Sequence, residues 1–128
     1  MNVASKLKDL RETLPECTLA ALGDLSSRIM LCASTAEKMP QDRLDALCIT
    51  ASTFLQGPTA RQTAVLLGDG EESVLNEAIV LTPVATHYFL RSESDVSDVL
   101  CCVCSQKADP LTLATAARVT LSEISDPP

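Results

Sequence analysis

Two short segments of the chain are apolar on both faces of an extended backbone, and they limit the possible folds more than any other feature. These segments are Cys17–Leu22 and Leu100–Cys104. A strand that is apolar on both faces belongs in the interior of a sheet whose two sides are both covered. The sequence therefore predicts an α/β structure in which these two strands are central and helices cover each face.

Helical periodicity marks the beginning, the middle and the end of the chain. The first helix has Asn2 as its N-cap and stops at Pro15, the middle one starts near Pro40, and the last starts at Asp109-Pro110. Their apolar stripes are, in order, Val3, Leu7, Leu10 and Leu14; then Leu44, Leu47, Cys48, Ala51, Phe54 and Leu55; then Leu113, Ala114, Ala117, Leu121 and Ile124. Each stripe predicts a helix with one side against the sheet.

The remaining strands are predicted from short apolar runs bounded by turn residues. Gly23–Ser27 reads as the turn of a hairpin that joins Cys17–Leu22 to Ile29–Ala33. Three strands follow the middle helix, at Val74–Leu81, Thr86–Ser92 and Val99–Cys104. The element order is thus helix, two strands, helix, three strands, helix.

The segment Thr59–Leu67 is compatible with a second helical piece after the break at Gly57-Pro58 or with a strand. The helix is favoured because Ala60, Ala64 and Leu67 share one face and Gly68 fits a C-cap. The strand alternative would turn through Gly68-Asp69-Gly70 into the next strand.

The charge distribution argues against nucleic-acid binding and against docking on an anionic membrane. The formal net charge is −7, and only 2% of the residues are aromatic. Residues 1–64 carry seven basic and seven acidic side chains, whereas residues 65–128 carry three and ten. Nucleic-acid binding needs basic groups for the phosphates and rings for the bases. The acidic loop Glu93–Asp98 is instead a candidate surface for a basic partner.

The amino terminus has an early acidic residue, Asp9, and lacks the long apolar run of a signal peptide. The longest uncharged stretches, Ala46–Ala60 and Ala78–Leu90, are shorter than the roughly 20 apolar residues that span a bilayer. We therefore expect a cytoplasmic protein with reduced thiols and no membrane insertion.

The six cysteines do not have the spacing of a zinc site. Cys17, Cys32 and Cys48 stand alone, and His87 has no cysteine or second histidine within ten residues. The cysteines are interpreted as small buried hydrophobic residues. A thiol or metal enzyme that uses Cys101, Cys102, Cys104 and His87 is kept as a distant third hypothesis.

Other chemical motifs are also weak. Gly68-Asp69-Gly70-Glu71 lacks the spacing of a phosphate-binding loop and reads as a helix-to-strand turn. The acidic pair Glu71-Glu72 and the trio Glu93, Asp95 and Asp98 are better explained as solvated loop charges than as a cation site. We predict no catalytic residue, no metal and no cofactor.

The element order at this length resembles the roadblock domain family of the dynein light-chain type, in the longin-like superfamily. The stretches that carry the resemblance are Leu66–Glu71, Glu77–Leu81 and His87–Arg91. The resemblance implies a five-stranded, mainly antiparallel sheet of order 2-1-5-4-3, with two helices on one face and one on the other, in a roadblock/profilin-like α+β sandwich. One such domain would cover residues 1–124, with a short tail at 125–128. Where the family often has a glycine near the start of the last helix, this chain has Pro110–Leu113.

The resemblance also implies a homodimer formed through the third strand and the middle helix. The predicted third strand, Val74–Leu81, supports this because Glu77 is its single charge and it contains no lysine or proline. On this basis we predict Ala51, Leu55, Ala78 and Val80 near the dimer contact. Three residues are assigned to packing: Leu44, Leu47 and Phe54.

The function that the resemblance implies is that of a non-enzymatic scaffold or regulator. Such a protein binds or regulates a small Ras-like GTPase, or serves as a subunit of a larger assembly. The main alternative is a small acidic chaperone, similar to those of type III secretion, that wraps an effector segment. The chaperone would bind a peptide, whereas the scaffold would bind a folded, nucleotide-loaded protein.

Overall fold

The computed structural model describes residues 2–68 and 74–125. Four helices and five strands lie within these ranges. In chain order they are α1 (Val3–Thr13), β1 (Cys17–Asp24), β2 (Ile29–Thr35), α2 (Gln41–Gln56), α3 (Pro58–Leu67), β3 (Glu77–Leu81), β4 (Thr86–Arg91), β5 (Asp98–Cys104) and α4 (Pro110–Ser125). Residues 59–67 are helical, as favoured, and the predicted element order is confirmed.

The strands form one antiparallel sheet of order β2-β1-β5-β4-β3, which confirms the order implied by the family resemblance. The two strands predicted to be central, β1 and β5, are neighbours in its middle. Ala20 lies opposite Cys102, and Ala21 lies opposite Cys101. All four side chains are fully buried, because helices cover both faces of these strands.

Alternation along the strands divides the core into two layers. One layer lies between the sheet and the pair α1 and α4; its largest members are Leu7, Leu10, Leu100, Leu113 and Tyr88. The other lies between the sheet and α2; it contains Leu19, Leu44, Leu55, Phe89 and Val99. Two helices therefore cover one face, and α2 covers the other.

Local signals in the sequence explain where the helices begin and end. Asn2 caps α1, since its side-chain oxygen accepts the Ser5 N–H at 2.7 Å. Asp109 precedes α4 and accepts hydrogen bonds from the Thr112 backbone and hydroxyl at 3.4 and 2.7 Å. The break between α2 and α3 requires Gly57, because an added Cβ would lie 2.7 Å from the Thr53 carbonyl oxygen.

The third strand is shorter than predicted: it begins at Glu77 rather than at Val74. Just before this start, the Asn76 carbonyl accepts the Arg91 N–H at 2.7 Å, and the Leu75 carbonyl accepts from the Arg91 guanidinium at 3.3 Å. The fourth strand ends at Arg91, one residue earlier than predicted.

Some predicted features fall on residues that the structure does not describe. Gly68 ends α3, with its N–H bonded to the Ala64 carbonyl at 2.7 Å. The rest of the predicted Gly68–Glu71 turn and the Glu71-Glu72 pair lie outside the described residues. At the carboxyl end, α4 runs through Ser125, and residues 126–128 of the predicted tail are outside them as well.

Candidate functional site

Strand β3 lies at one end of the described sheet and is apolar on both of its faces. Ala78 and Val80 point toward α2 and pack against the core on that side. Ile79 and Leu81 alternate with them, so they belong to the opposite face, and both are exposed; Leu81 is 68% accessible to solvent. An edge of this kind favours pairing with another strand.

Helix α2 extends this apolar edge toward the middle of the sheet. Its outer flank carries the exposed Phe54, whose ring is stacked on that of Phe89 with centroids 6.3 Å apart. Phe89 is the register partner of Ala78, so Phe54 lies close to β3. We call Phe54, Ala78, Ile79, Val80 and Leu81 the edge surface.

Helix α3 adds further exposed apolar residues. Val65, Leu66 and Leu67 are all exposed, and they lie in the last turn and a half before the segment that leads back to β3. Exposure of several large aliphatic side chains together is typical of an interaction site rather than of a free surface.

The residues predicted near the dimer contact divide into two groups. Ala51 and Leu55 are fully buried in the chain's own core and face the sheet. Ala78 and Val80 are half-buried on β3 and belong to the edge surface. Helical spacing produced one broad stripe on α2, but the structure distinguishes its inner part from its flank. The dimer contact itself stays a prediction.

The three residues of α2 that were predicted to pack also differ in burial. Leu44 is buried, and Leu47 is half-buried against the same core layer. Phe54 is exposed, although one side of its ring rests on Phe89. The flank of α2 that carries Phe54 is therefore accessible to a partner.

Arg91 anchors this edge of the molecule, and sequence reasoning missed it. The side chain is buried, and burial lowers its pKa. Its guanidinium donates to the carbonyls of Leu55 at 3.1 Å, Val96 at 2.9 Å and Leu75 at 3.3 Å. It thus joins the end of α2, the loop before β5 and the residues that lead into β3. A single arginine at the end of an apolar run gave no signal of this role.

A second polar cluster holds β3 from the other face of the sheet. The buried Tyr88 hydroxyl donates to Glu77, and Arg118 of α4 donates to the same carboxylate at 2.6 Å. Burial, together with the hydrogen bond to Glu77, raises the pKa of Tyr88. The phenol is therefore protonated over the neutral range, and the cluster serves to fix the edge strand.

The thiols and the histidine of the third hypothesis do not form a dyad. His87 on β4 lies opposite Val103 on β5 and points to the α2 side of the sheet. There the centroid of its ring lies 6.4 Å from that of Phe89. Cys102 and Cys104 belong to the layer under α1 and α4, so the sheet separates them from His87. Burial raises the pKa of Cys101 and of Cys102, which suppresses their thiolates. Within residues 2–68 and 74–125, no cluster of three His, Cys, Asp or Glu residues could hold a metal ion.

The acidic loop lies against the β1–β2 turn. The Leu25 N–H donates to the Ser97 carbonyl at 2.7 Å. Asp24 at the end of β1 and Asp98 at the start of β5 thus lie near each other and near Asp95. Burial and the charges of the other two carboxylates raise the pKa of Asp98. Asp95 accepts the Ser97 N–H at 3.0 Å, which explains it as a turn-forming residue.

Among the described helices, none is both long and apolar enough to cross a membrane.

The sheet order and the arrangement of helices on both faces define a class of small α/β sandwich domains. More particularly, the chain has the roadblock fold. It matches a Roadblock/LC7 domain from Streptomyces avermitilis with a TM-score of 0.78 and 15% identity, over 97% of this chain and 95% of that chain. The resemblance inferred from the sequence is thereby confirmed at the level of the fold.

Other solved structures match as well. MglB in a tetrameric arrangement has a TM-score of 0.78 at 16% identity, over 96% of this chain and 85% of that one. The gliding protein MglB from Thermus thermophilus has a TM-score of 0.73 at 15% identity, with the same two coverages of 96% and 85%. No protein-family model and no curated protein matches the sequence. The similarity is therefore one of fold.

Proposed function

We propose that the protein is a non-enzymatic homodimeric scaffold, and that it binds a small Ras-like GTPase or holds a place in a larger assembly. The proposal places it in the cytoplasm as one roadblock-like domain over residues 1–124. Binding is the role we propose in preference to activation. Activation would also need no catalytic residue in this chain, because a GTPase can be helped by repositioning its own groups.

The observation that supports dimerisation is the edge surface. Among the described residues, no strand pairs with the outer side of β3, and the strand carries two exposed apolar side chains, Ile79 and Leu81. Pairing of two β3 strands would join the sheets of two chains into one and cover both features. The matching MglB structure with its tetrameric arrangement shows that a protein of this fold assembles with copies of itself.

In the proposed dimer, the residues predicted at the contact have different roles. Ala78 and Val80 would meet the partner directly, together with Phe54 on the flank of α2. Ala51 and Leu55 would support that flank from inside, since they are fully buried.

Sedimentation equilibrium tests the dimer. At micromolar concentration we expect the mass of two chains, and a single chain of 13.6 kDa over the whole range would refute the dimer. The result does not depend on the identity of any other partner.

Co-purification from the native cell tests the partner class. A small GTPase identified by mass spectrometry should bind the purified chain again, with a different affinity when it is loaded with GDP or with a GTP analogue. Binding of an unfolded effector segment without nucleotide would favour the chaperone alternative instead. As a control for the non-enzymatic role, GTP incubated with the chain alone should be hydrolysed no faster than in buffer.

A further inference from the structure

Cys17 and Cys104 lie directly opposite each other on the two central strands. The Ser105 N–H donates to the Glu16 carbonyl at 3.0 Å. Glu16 precedes Cys17, and Ser105 follows Cys104. A backbone hydrogen bond between these flanking residues means that Cys17 and Cys104 themselves form a non-hydrogen-bonded antiparallel pair. In pairs of this kind the opposite side chains approach most closely. Opposite Cα atoms in such pairs are about 4.5 Å apart, inside the range of about 4.4–6.8 Å that a disulfide spans.

The two thiols also lie on the same face of the sheet. The register of β1 shifts between Cys17 and Leu19, and this irregularity moves Cys17 to the face of Ala20 instead of the face of Leu19. Both cysteines therefore belong to the core layer under α1 and α4, and the Cys17 thiol donates to the Leu19 carbonyl at 3.3 Å. The four other cysteines are also free thiols.

We propose that Cys17 and Cys104 form a reversible disulfide when the protein meets a small peroxide. The pair lies at one end of the two central strands, β1 and β5, and β4 separates these strands from β3, so the disulfide does not depend on the proposed dimer. It makes the chain sensitive to oxidation at a site that no cofactor or metal needs to occupy.

Cys17 is the thiol that reacts first. The neighbouring Cys104 thiol lowers the pKa of Cys17, with a smaller contribution from the charge of Arg11, whereas the Cys17 thiol and burial raise the pKa of Cys104. Cys17 is also the more exposed of the two, at 7% against 2%. A lower pKa increases the fraction of Cys17 that is thiolate, and greater exposure lets an oxidant reach that thiolate more readily.

The reaction with hydrogen peroxide has two steps. The Cys17 thiolate attacks one peroxide oxygen, the O–O bond breaks, and hydroxide leaves and takes up the proton that Cys17 released; Cys17 becomes a sulfenic acid. The Cys104 sulfur then attacks the Cys17 sulfur, and the sulfenic oxygen leaves as water with the Cys104 proton. Two thiols and one peroxide thus give one disulfide and two waters.

A small peroxide can reach the pair from the side of Cys104. Cys104 lines a cavity of about 250 Å³ together with Leu14, Glu16 and Lys107, among others. Burial raises the pKa of Cys48, Cys101 and Cys102, which disfavours reaction at those thiols.

The test uses the reduced full-length chain, treated with hydrogen peroxide and then alkylated after unfolding. We expect a mass decrease of about 2 Da before alkylation, for two hydrogens lost, and a non-reduced tryptic map that links residues 12–28 to residues 92–107. A reducing agent should reverse both changes. Residues 92–107 contain Cys101, Cys102 and Cys104, so variants assign the linkage.

Cys102→Ala and Cys32→Ala should keep the disulfide, whereas Cys17→Ala and Cys104→Ala should lose it. In Cys104→Ala we expect a sulfenic acid at Cys17, about 16 Da heavier and trapped by dimedone. If a variant fails to fold, fragmentation of the linked wild-type peptides still identifies the bonded cysteines. Full alkylation of Cys17 and Cys104 after peroxide, or a linkage through Cys32, would overturn the proposal.

Discussion

The two outer strands of the sheet, β2 and β3, differ in whether side chains bind their backbone groups. Both backbone groups of Met30 on β2 form hydrogen bonds with side chains of α2. Asp45 Oδ1 accepts the Met30 N–H at 2.8 Å, and Gln41 Nε2 donates to the Met30 carbonyl at 2.8 Å. On β3, apolar side chains face the solvent, and no strand within the described part of the chain pairs with its outer side; we call this the open edge. Side chains that bind an edge strand leave it fewer free groups for pairing with another chain.

The comparison shows that exposure of apolar residues does not by itself identify a pairing edge. Leu31 on β2 is 60% exposed and Leu81 on β3 is 68% exposed, so the two edges look alike by that measure. They differ in the hydrogen bonds of the strand backbone. Edge β3 is therefore the one that we expect to pair, and four measurements test the difference between the two edges.

The largest effect is expected at Arg91, which holds the β3 side of the molecule together from within. Arg91→Met keeps much of the aliphatic stem but leaves the carbonyls of Leu55, Leu75 and Val96 without their donor. Unsatisfied buried acceptors are costly, so we expect the free energy of unfolding to fall by about 3 kcal/mol. Urea denaturation followed by circular dichroism measures this change.

The exposed Arg43 on α2 provides the matched control. Arg43→Met should change the free energy of unfolding by no more than about 0.5 kcal/mol, as is usual for surface substitutions. Equal losses in the two variants would show that Arg91 contributes only its charge and not its hydrogen bonds.

The second effect concerns the proposed dimer. Leu81→Lys puts a charge on the open edge, and lysine there is a common means of preventing strand pairing. We expect the dimer dissociation constant to rise about thirty-fold, which corresponds to about 2 kcal/mol. Sedimentation velocity over a concentration series provides the measurement.

Two leucines of similar exposure serve as controls for this variant: Leu31 on β2 and Leu111 on α4, which are 60% and 72% exposed. Leu31→Lys and Leu111→Lys should leave the dissociation constant within about two-fold of the wild type. Loss of the dimer with Leu31→Lys but not with Leu81→Lys would reverse the assignment of the pairing edge.

The sequence predicted the centre of the sheet better than its edges, and the reason is physical. The segments Cys17–Leu22 and Leu100–Cys104 are buried on both faces of the sheet. Their apolar composition alone therefore indicates that they are central strands. Caps at Asn2 and Asp109 act within one helical turn, and they too are readable from local sequence.

The edges depend on contacts between distant residues, which a periodic pattern does not contain. Arg91 reaches the Leu55 carbonyl across 36 positions in the chain, and Arg118 reaches Glu77 across 41. Spacing placed Ala51 and Phe54 on one broad stripe, whereas the exact orientation of α2 buries the first and exposes the second. Sequence patterns thus locate the candidate site on a strand and a helix, whereas the exposure of its individual residues depends on the orientation of α2. The contact between chains stays a prediction.

A third, smaller effect should appear at alkaline pH. Tyr88 is the one tyrosine of the sequence, which contains no tryptophan, so its ionisation can be followed directly by ultraviolet absorbance. Burial and the hydrogen bond to Glu77 raise its pKa in the folded chain. The unfolded chain therefore loses this proton first as the pH rises, and stability decreases once the pH exceeds the ordinary tyrosine value of about 10.

The expected slope from this group is about 1.4 kcal/mol per pH unit between its unfolded and folded pKa values. Tyr88→Phe should lack this component of the alkaline slope, while keeping the ring in the core. A tyrosine that titrates near pH 10 in the folded wild type, with no loss of secondary structure, would show that the contact with Glu77 does not hold β3 in solution.

The smallest effect tests the β2 edge, where side chains of α2 bind the backbone of Met30. Asp45→Ala removes the acceptor of the Met30 N–H, and we expect a loss of about 1 kcal/mol in the free energy of unfolding, whereas Asp45→Asn keeps an acceptor oxygen and should lose less. Because β2 is not the proposed contact, the dimer dissociation constant should stay within about two-fold of the wild type in both variants. A larger change in dimerisation than in stability would mean that Met30 lies at the contact between chains. In that case the hydrogen bonds from α2 would shape a pairing edge rather than close one.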